Sequence, residues 1–205
     1  MLTRRTFLQS TLTLAALSAG ARLAHAAFAQ SPAQAKQFIN TTARQMIAII
    51  DSPAPAADKS AQLQQIINRV VAVDEIARFC LGRYWRLATP AQQQQYVQLF
   101  HHVLLESITG HLGDYKGITY SIGTPVDGQG GVQVPSVLNR PGQPAASLTW
   151  VVTEESGNPK IIDVIAEGTS MRVTTRSDYN SFLDSHAGNI AALITALQRR
   201  ARQSG

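Results

Sequence analysis

The sequence predicts an α+β domain in which four helices come first, a sheet follows and two helices close the chain. Before Gly113 the apolar residues recur at three- and four-residue steps, whereas from Ile118 to Ala166 they recur at every second position. Four consecutive strands with short Gly- and Pro-containing connectors favour an antiparallel meander. The expected fold is therefore a four-stranded antiparallel sheet packed with about six helices.

The first four helices have their own boundary signals. Their expected ranges are Ser31 to Ile50, a second helix that carries Leu63 to Val71, Asp74 to Gly82 and Thr89 to about Leu112. Ser31-Pro32 can cap the first helix and Asp74 is expected to cap the third. Gly82 can take positive φ after the end of the third helix. Thr89-Pro90-Ala91-Gln92 has the pattern of a capping box, with Thr at the N-cap and Gln at N3.

The second half of the chain alternates apolar and polar residues. The expected strands are Ile118 to Ile122, Val132 to Leu138, Ala146 to Thr153 and Lys160 to Ala166. One side of the third strand carries Leu148, Trp150 and Val152, and one side of the fourth carries Ile162, Val164 and Ala166. One face of the sheet is thus expected to pack on helices or to enclose a ligand. The last two helices are expected at about Ser177 to Ser185 and Asn189 to Arg202.

Residues 1–26 have the pattern of a signal peptide. Arg4-Arg5 precede an apolar stretch that is too short to span a bilayer, and Ala24-His25-Ala26 fits a cleavage site. Arg4-Arg5 with Phe7-Leu8 favour twin-arginine export, with the Sec route as the alternative. Cleavage near Ala26 would release residues 27–205 as one domain, with a helical part at 32–112, a sheet part at 117–170 and C-terminal helices at 176–202.

Charge and cysteine content exclude several classes. The leader holds three arginines and no acid, so its removal lowers the formal net charge from +5 to +2. Three further arginines lie in the C-terminal tail, so no basic face suited to nucleic acid remains. The single Cys80 cannot form an intrachain disulfide, and its apolar helical setting predicts a buried, inert thiol.

No residue constellation indicates an enzyme, a metal or a cofactor. His101 and His102 are adjacent on a helix and point about 100° apart, so they do not share a metal easily. Gly168-Thr-Ser170 lacks the second glycine of a nucleophile elbow, because Arg172 stands there. The chain is therefore expected to be a non-enzyme.

Two blocks carry a family resemblance. The first is Leu81-Gly-Arg-Tyr-Trp-Arg86 with Ala88-Thr-Pro90 and His111 to Gly117, and the second is Ile162 to Ser170 with Thr175 to Tyr179. Together they resemble the MlaC / toluene-tolerance family of periplasmic phospholipid-binding proteins, which serve an ABC lipid-transport system. The resemblance covers roughly residues 34 to 200.

This resemblance implies a monomeric periplasmic lipid carrier with a curved sheet and helices around an apolar cavity. The carrier would bind phospholipid and shuttle it between an outer-membrane lipoprotein complex and an inner-membrane ABC transporter, which maintains outer-membrane lipid asymmetry. The candidate lipid-binding residues are Trp150, Leu148, Val152, Ile162, Val164, Phe100, Val103, Leu104, Tyr84 and Trp85.

Three arginines and the ligand itself leave alternatives open. Arg83, Arg86 and Arg176 suit either a lipid headgroup or partner contact, or a structural role as ion pairs and helix caps. Asn158-Pro159-Lys160 departs from the Trp-Lys of the family, and a related branch is linked to hopanoid synthesis, so a hopanoid is the alternative ligand. A non-transport envelope interaction module with a fully packed core is the alternative function.

Overall fold

A computed structural model of the chain describes residues 31–110 and 115–203. It contains six α-helices, and a 3-10 helix at Gly82–Arg86 lies between the third and the fourth. The α-helices are α1 (Pro32–Asp51), α2 (Ala56–Val70), α3 (Val73–Leu81), α4 (Pro90–Thr109), α5 (Met171–Ser185) and α6 (Ile190–Gln203). The predicted signal peptide and the predicted end of the fourth helix at Leu112 lie outside the described residues.

The sheet is antiparallel throughout and has six strands. These are β1 (Thr119–Ile122), β2 (Val126–Gly128), β3 (Gly131–Asn139), β4 (Ala146–Glu155), β5 (Asn158–Ala166) and β6 (Thr169–Ser170). The order is β1-β3-β4-β5-β6, and β2 pairs with β3 beside β1. The α+β class and the four main strands are confirmed.

The expected strand number was too low because two short strands lie outside the four predicted ranges. Gly128 pairs with Gly131, so β2 and β3 form a tight hairpin, and β6 pairs with the end of β5. Both strands have three residues or fewer, which is too short for an alternating pattern to show.

The predicted caps of α1 and α4 are confirmed. The Ser31 side chain accepts a hydrogen bond from the Gln34 backbone N–H, and the Gln34 side chain accepts one from the Ser31 N–H. Thr89 and Gln92 make the same reciprocal pair at α4. These local bonds satisfy backbone donors that the first helical turn leaves free.

Two helix starts differ from the prediction. The Asp74 side chain does not cap α3: the N-cap is Ala72, whose N–H donates to the Ile161 carbonyl 3.0 Å away in β5. The chain thus leaves α2 alongside β5 and enters α3 directly. Helix α5 begins at Met171, six residues before the expected Ser177, because Ser170 caps it through the Val173 N–H.

A β-bulge decides which residues share a sheet face. The register shifts between Val151 and Val152, so Val151 pairs with Asp163 whereas Val152 pairs with Ile161, and Ile162 is the extra residue. Ile162 therefore packs with Val151, away from Val164. The expectation that Ile162 and Val164 share a side was wrong.

Helices cover both faces of the central strands, rather than the single face that the alternation predicted. One face packs on α1 and α2, and the other contacts α3 and α5. A second apolar core lies among α3, the 3-10 helix and α4 to α6. Val71 packs against this helical core and also against the core that the sheet forms with α1 and α2, so the two cores meet at Val71. Within the described ranges, no helix is both long and apolar enough to cross a bilayer.

Candidate functional site

The candidate site lies between the sheet and the first two helices. At its base, residues of β3, β4 and β5 pack against residues of α1 and α2. The buried members are Val132, Val134, Val152 and Ile161 from the sheet and Ala35, Ile39, Ile66 and Val70 from the helices. A core of this composition is apolar and presents no charged side chain.

The rim of this sheet–helix core is only half-buried. Seven apolar side chains pack against the core but keep contact with solvent, and we call them the seam residues. They are Phe38, Met46, Ile49, Val71, Ile122, Trp150 and Val164. Half-buried apolar side chains along one seam offer a surface that a long apolar ligand could cover.

Trp150 is the largest seam residue of the sheet. Its Nε1–H donates to Ser136 Oγ at 2.9 Å. The Ser136 hydroxyl in turn donates to the Leu148 carbonyl at 3.4 Å. The one polar atom of the indole is therefore satisfied within the sheet, and the rest of the ring is available for apolar contact.

The structure divides the predicted lipid-binding residues among separate places. Trp150, Val152 and Val164 belong to the sheet–helix core or its seam, and Leu148 is half-buried on β4. Ile162 lies on the opposite face with Val151 because of the bulge. The remaining five belong to the helical core: Phe100, Val103, Leu104, Tyr84 and Trp85. Their contact with lipid stays a prediction.

Aromatic rings and polar contacts organise the helical core. The Tyr96 hydroxyl donates to the Ala77 carbonyl at 2.9 Å, and the Tyr96, Phe100 and Tyr179 rings pack at tilted or edge-on angles. Burial raises the pKa of Tyr96, and it raises the pKa of Tyr179 to about 12. Rings that pack in this way fill the interior of the helical core.

The turn between α3 and α4 holds two of the three predicted headgroup residues, Arg83 and Arg86. Arg83 forms an ion pair with Asp184 and a hydrogen bond with the Tyr84 hydroxyl, which itself donates to Asp184. These contacts raise the pKa of Arg83, chiefly through the Tyr84 hydrogen bond, and lower the pKa of Asp184. The structural alternative thus accounts for Arg83, whereas Arg86 is exposed.

The structural role expected for Arg176 was an ion pair with Asp178 or Asp163, whereas the structure places its guanidinium over an aromatic ring. Its guanidinium lies 4.8 Å from the centre of the Phe79 ring, and its Nε would be 3.2 Å from a Cβ on Gly82. The carboxylate of Asp163 pairs instead with Arg172, at 3.5 Å between Oδ2 and Nε. Arg176 is therefore packed against the end of α3.

Sequence reasoning missed three seam residues on α1. Phe38, Met46 and Ile49 are apolar positions of the first predicted helix, and none of them was predicted as a site residue. Their spacing of eight and three residues places them on one face of a helix, which was the available signal. The sequence does not show what this face packs against, since the sheet strands lie 70 or more residues further along the chain.

The remaining chemical candidates have local explanations. His101 Nε2 lies 2.7 Å from Asp74 Oδ1 and His102 Nε2 lies 3.4 Å from the Ala201 carbonyl oxygen. Nowhere in residues 31–110 and 115–203 do three His, Cys, Asp or Glu side chains cluster as a metal site would need. Cys80 is buried, and desolvation raises the pKa of its thiol to about 12.

The comparison with protein families decides the classification. The profile of the MlaC protein family matches residues 29–199. This chain belongs to the MlaC family. The match confirms the expected family, and it includes α1, the complete sheet and most of α6.

A solved MlaC-like fold supports the architecture. This chain is similar to the phospholipid-binding protein from Ralstonia solanacearum, which was solved in complex with a phospholipid. The TM-score is 0.73 at 21% identity, and the alignment covers 83% of this chain and 98% of the other. At this identity the likeness establishes the MlaC fold of the chain.

Proposed function

We propose that this MlaC-family chain is a periplasmic phospholipid carrier that holds acyl chains along the seam between the sheet and α1. The observation that carries the proposal is the half-buried apolar rim beside a fully apolar core, in a chain of this family. The phospholipid bound to the Ralstonia solanacearum protein supports the choice of ligand. The chain would shuttle this lipid between an outer-membrane lipoprotein complex and an inner-membrane ABC transporter.

The physical requirement for such a carrier is apolar area rather than specific polar contacts. Each CH₂ group of an acyl chain gains about 0.8 kcal/mol when it leaves water. Two tails therefore bind well to a seam lined by aliphatic and aromatic side chains, and the headgroup can stay in solvent. The seam residues supply this surface without a catalytic set.

The two tryptophans allow a direct test of where the tails lie. Trp150 is a seam residue, whereas Trp85 packs against the helical core, and the chain contains only these two. The Trp85→Phe variant keeps Trp150 as its only fluorescent tryptophan, and the Trp150→Phe variant keeps Trp85. We expect phospholipid with brominated acyl chains, loaded into protein that is then freed of vesicles, to quench Trp150 strongly and Trp85 weakly.

Quenching, native mass spectrometry and lipid extraction together distinguish the seam from the other possibilities. Quenching of Trp85 alone would place the tails in the helical core and contradict the seam. No quenching, together with no lipid in native mass spectra of protein from periplasm, would contradict the carrier and favour an interaction module. Extraction of a polycyclic lipid instead of a phospholipid would support the hopanoid alternative.

A further inference from the structure

The turn between α3 and α4 concentrates positive charge. From Ile76 to Leu105 the chain carries three arginines and no Asp or Glu. All three lie at the end of α3 or in the 3-10 helix: Arg78, Arg83 and Arg86. All three are exposed, and Asp184 pairs with only one of them.

Aromatic rings hold two of these three guanidinium groups in place. The Arg78 guanidinium lies 5.6 Å from the centre of the Trp85 ring, and that of Arg83 lies 5.0 Å from the Tyr84 ring. Stacked guanidinium groups keep their charge and their N–H donors available to an anion. The turn is thus an ordered cationic surface.

An exposed leucine stands among these arginines. Leu87 is 69% exposed, which is the largest value among the big apolar side chains of the described residues. Hydrogen bonds hold the backbone around it: the Leu87 N–H donates to the Tyr84 carbonyl at 3.1 Å, and Gln93 Nε2 donates to the Trp85 carbonyl at 2.8 Å. We call Arg78, Arg83, Arg86 and Leu87 the arginine corner.

We propose that the arginine corner docks this chain on a bilayer surface that contains anionic phospholipid. Leu87 enters the boundary between headgroups and acyl chains, and Arg78 and Arg86 lie against lipid phosphates. The inference rests on the proposed carrier function in one respect: a carrier must approach a membrane surface to load or release lipid.

The composition of the corner favours a bilayer over a protein partner. A stable protein interface needs an extended surface with an apolar centre, but the corner offers one exposed leucine in the same turn as three exposed arginines. A few basic residues and one apolar side chain suit weak, reversible attachment to anionic lipid. Reversible attachment is what a shuttling carrier requires.

The test is co-sedimentation of the purified protein with vesicles. We expect binding to vesicles of phosphatidylglycerol and phosphatidylcholine in equal parts, little binding to phosphatidylcholine alone, and weakening as salt increases. Arg86→Ala should weaken binding about five-fold, which corresponds to one arginine near the surface. Leu87→Asp should weaken it about ten-fold or more.

Two exposed residues elsewhere serve as matched controls. Arg202→Ala removes an exposed arginine at the end of α6, which lies near His102 in α4. The part of α4 between the corner and His102 is about 18 Å long, so this end of α6 is well separated from the corner. Val126→Asp adds an acid at an exposed apolar residue of β2. Both variants should bind vesicles like the parent chain.

Lipid extraction separates the two proposals. If Arg202→Ala weakened vesicle binding as much as Arg86→Ala does, the attraction would be diffuse and the docking surface would be overturned. Equal binding to vesicles with and without phosphatidylglycerol would overturn it as well. If Leu87→Asp keeps its bound lipid but loses vesicle binding, the corner docks the carrier. If the parent protein contains no lipid yet still needs the corner for vesicles, the docking surface stands and the carrier proposal fails.

Discussion

Asp163 shows how one buried side chain joins three elements. Its carboxylate accepts hydrogen bonds from the Val164 N–H at 2.8 Å, the Arg172 N–H at 3.1 Å and the Ser170 hydroxyl at 2.5 Å. The side chain is only 5% exposed and pairs with Arg172. Because Ser170 caps α5 and Asp163 lies in β5, the carboxylate fixes the start of α5 against the sheet and satisfies the positive end of the helix.

Removal of this carboxylate should be costly. Asp163→Ala leaves the Arg172 guanidinium and a helix N–H without their partner, so we expect the free energy of unfolding to fall by about 3 kcal/mol. Urea denaturation followed by circular dichroism measures the change. Asp178→Ala, at an exposed acid of the same helix, should change the free energy by less than about 0.5 kcal/mol. Equal effects of the two variants would contradict the assigned role.

At the scale of elements, features set by residues close in the chain were predicted correctly, whereas features set by contacts between elements were not. The caps at Ser31 and Thr89 involve residues three apart, so the sequence predicted both correctly. The start of α5 depends on Asp163, which lies in another element, and was missed by six residues. The bulge in β5 likewise depends on pairing with β4, so alternation alone placed Ile162 on the wrong face.

At the start of β3, the backbone of Gly131 lies so close to the backbone of β4 that a side chain does not fit between them. Gly131 has φ of +153°, and a Cβ there would lie 2.3 Å from the Val152 carbonyl oxygen in β4. Gly142 has φ of +72° but open space around it. Gly142→Ala should destabilise the fold by about 1 kcal/mol through backbone strain alone.

Gly131→Ala adds a clash with backbone that cannot move without breaking the β3–β4 pairing. We therefore expect a loss of about 2 kcal/mol more than for Gly142→Ala, measured by urea denaturation of both variants. A smaller loss for Gly131→Ala than for Gly142→Ala would show that β4 adapts.

The described residues form two large apolar cores with different character, besides the small cluster of Ala72, Val151 and Ile162. The helical core is closed by aromatic packing and hydrogen bonds such as that from Tyr96 to Ala77. The sheet–helix core has a half-buried rim that includes Phe38 and Trp150. A ligand that covers this rim should therefore stabilise the complete fold, because both cores share Val71.

Lipid removal should lower thermal stability. A ligand present at a hundred times its Kd stabilises the native state by about 2.7 kcal/mol, so we expect delipidated protein to melt several degrees lower and to recover with added phosphatidylglycerol. Differential scanning calorimetry measures the midpoint. Glycerol phosphate carries the headgroup chemistry without tails and should have no effect. Recovery with glycerol phosphate alone would contradict tail binding as the source of stability.

The sequence by itself determined the α+β class, the order of the six α-helices and the four main strands, the caps of α1 and α4 and the family resemblance. Each of these depends on residues close together in the chain. The tertiary structure decided which apolar residues meet. It separated Trp150 from Phe100 and Tyr84, turned Ile162 to the other face and paired Arg83 with Asp184. These outcomes depend on strand register and helix docking between residues distant in the chain, which periodicity does not encode.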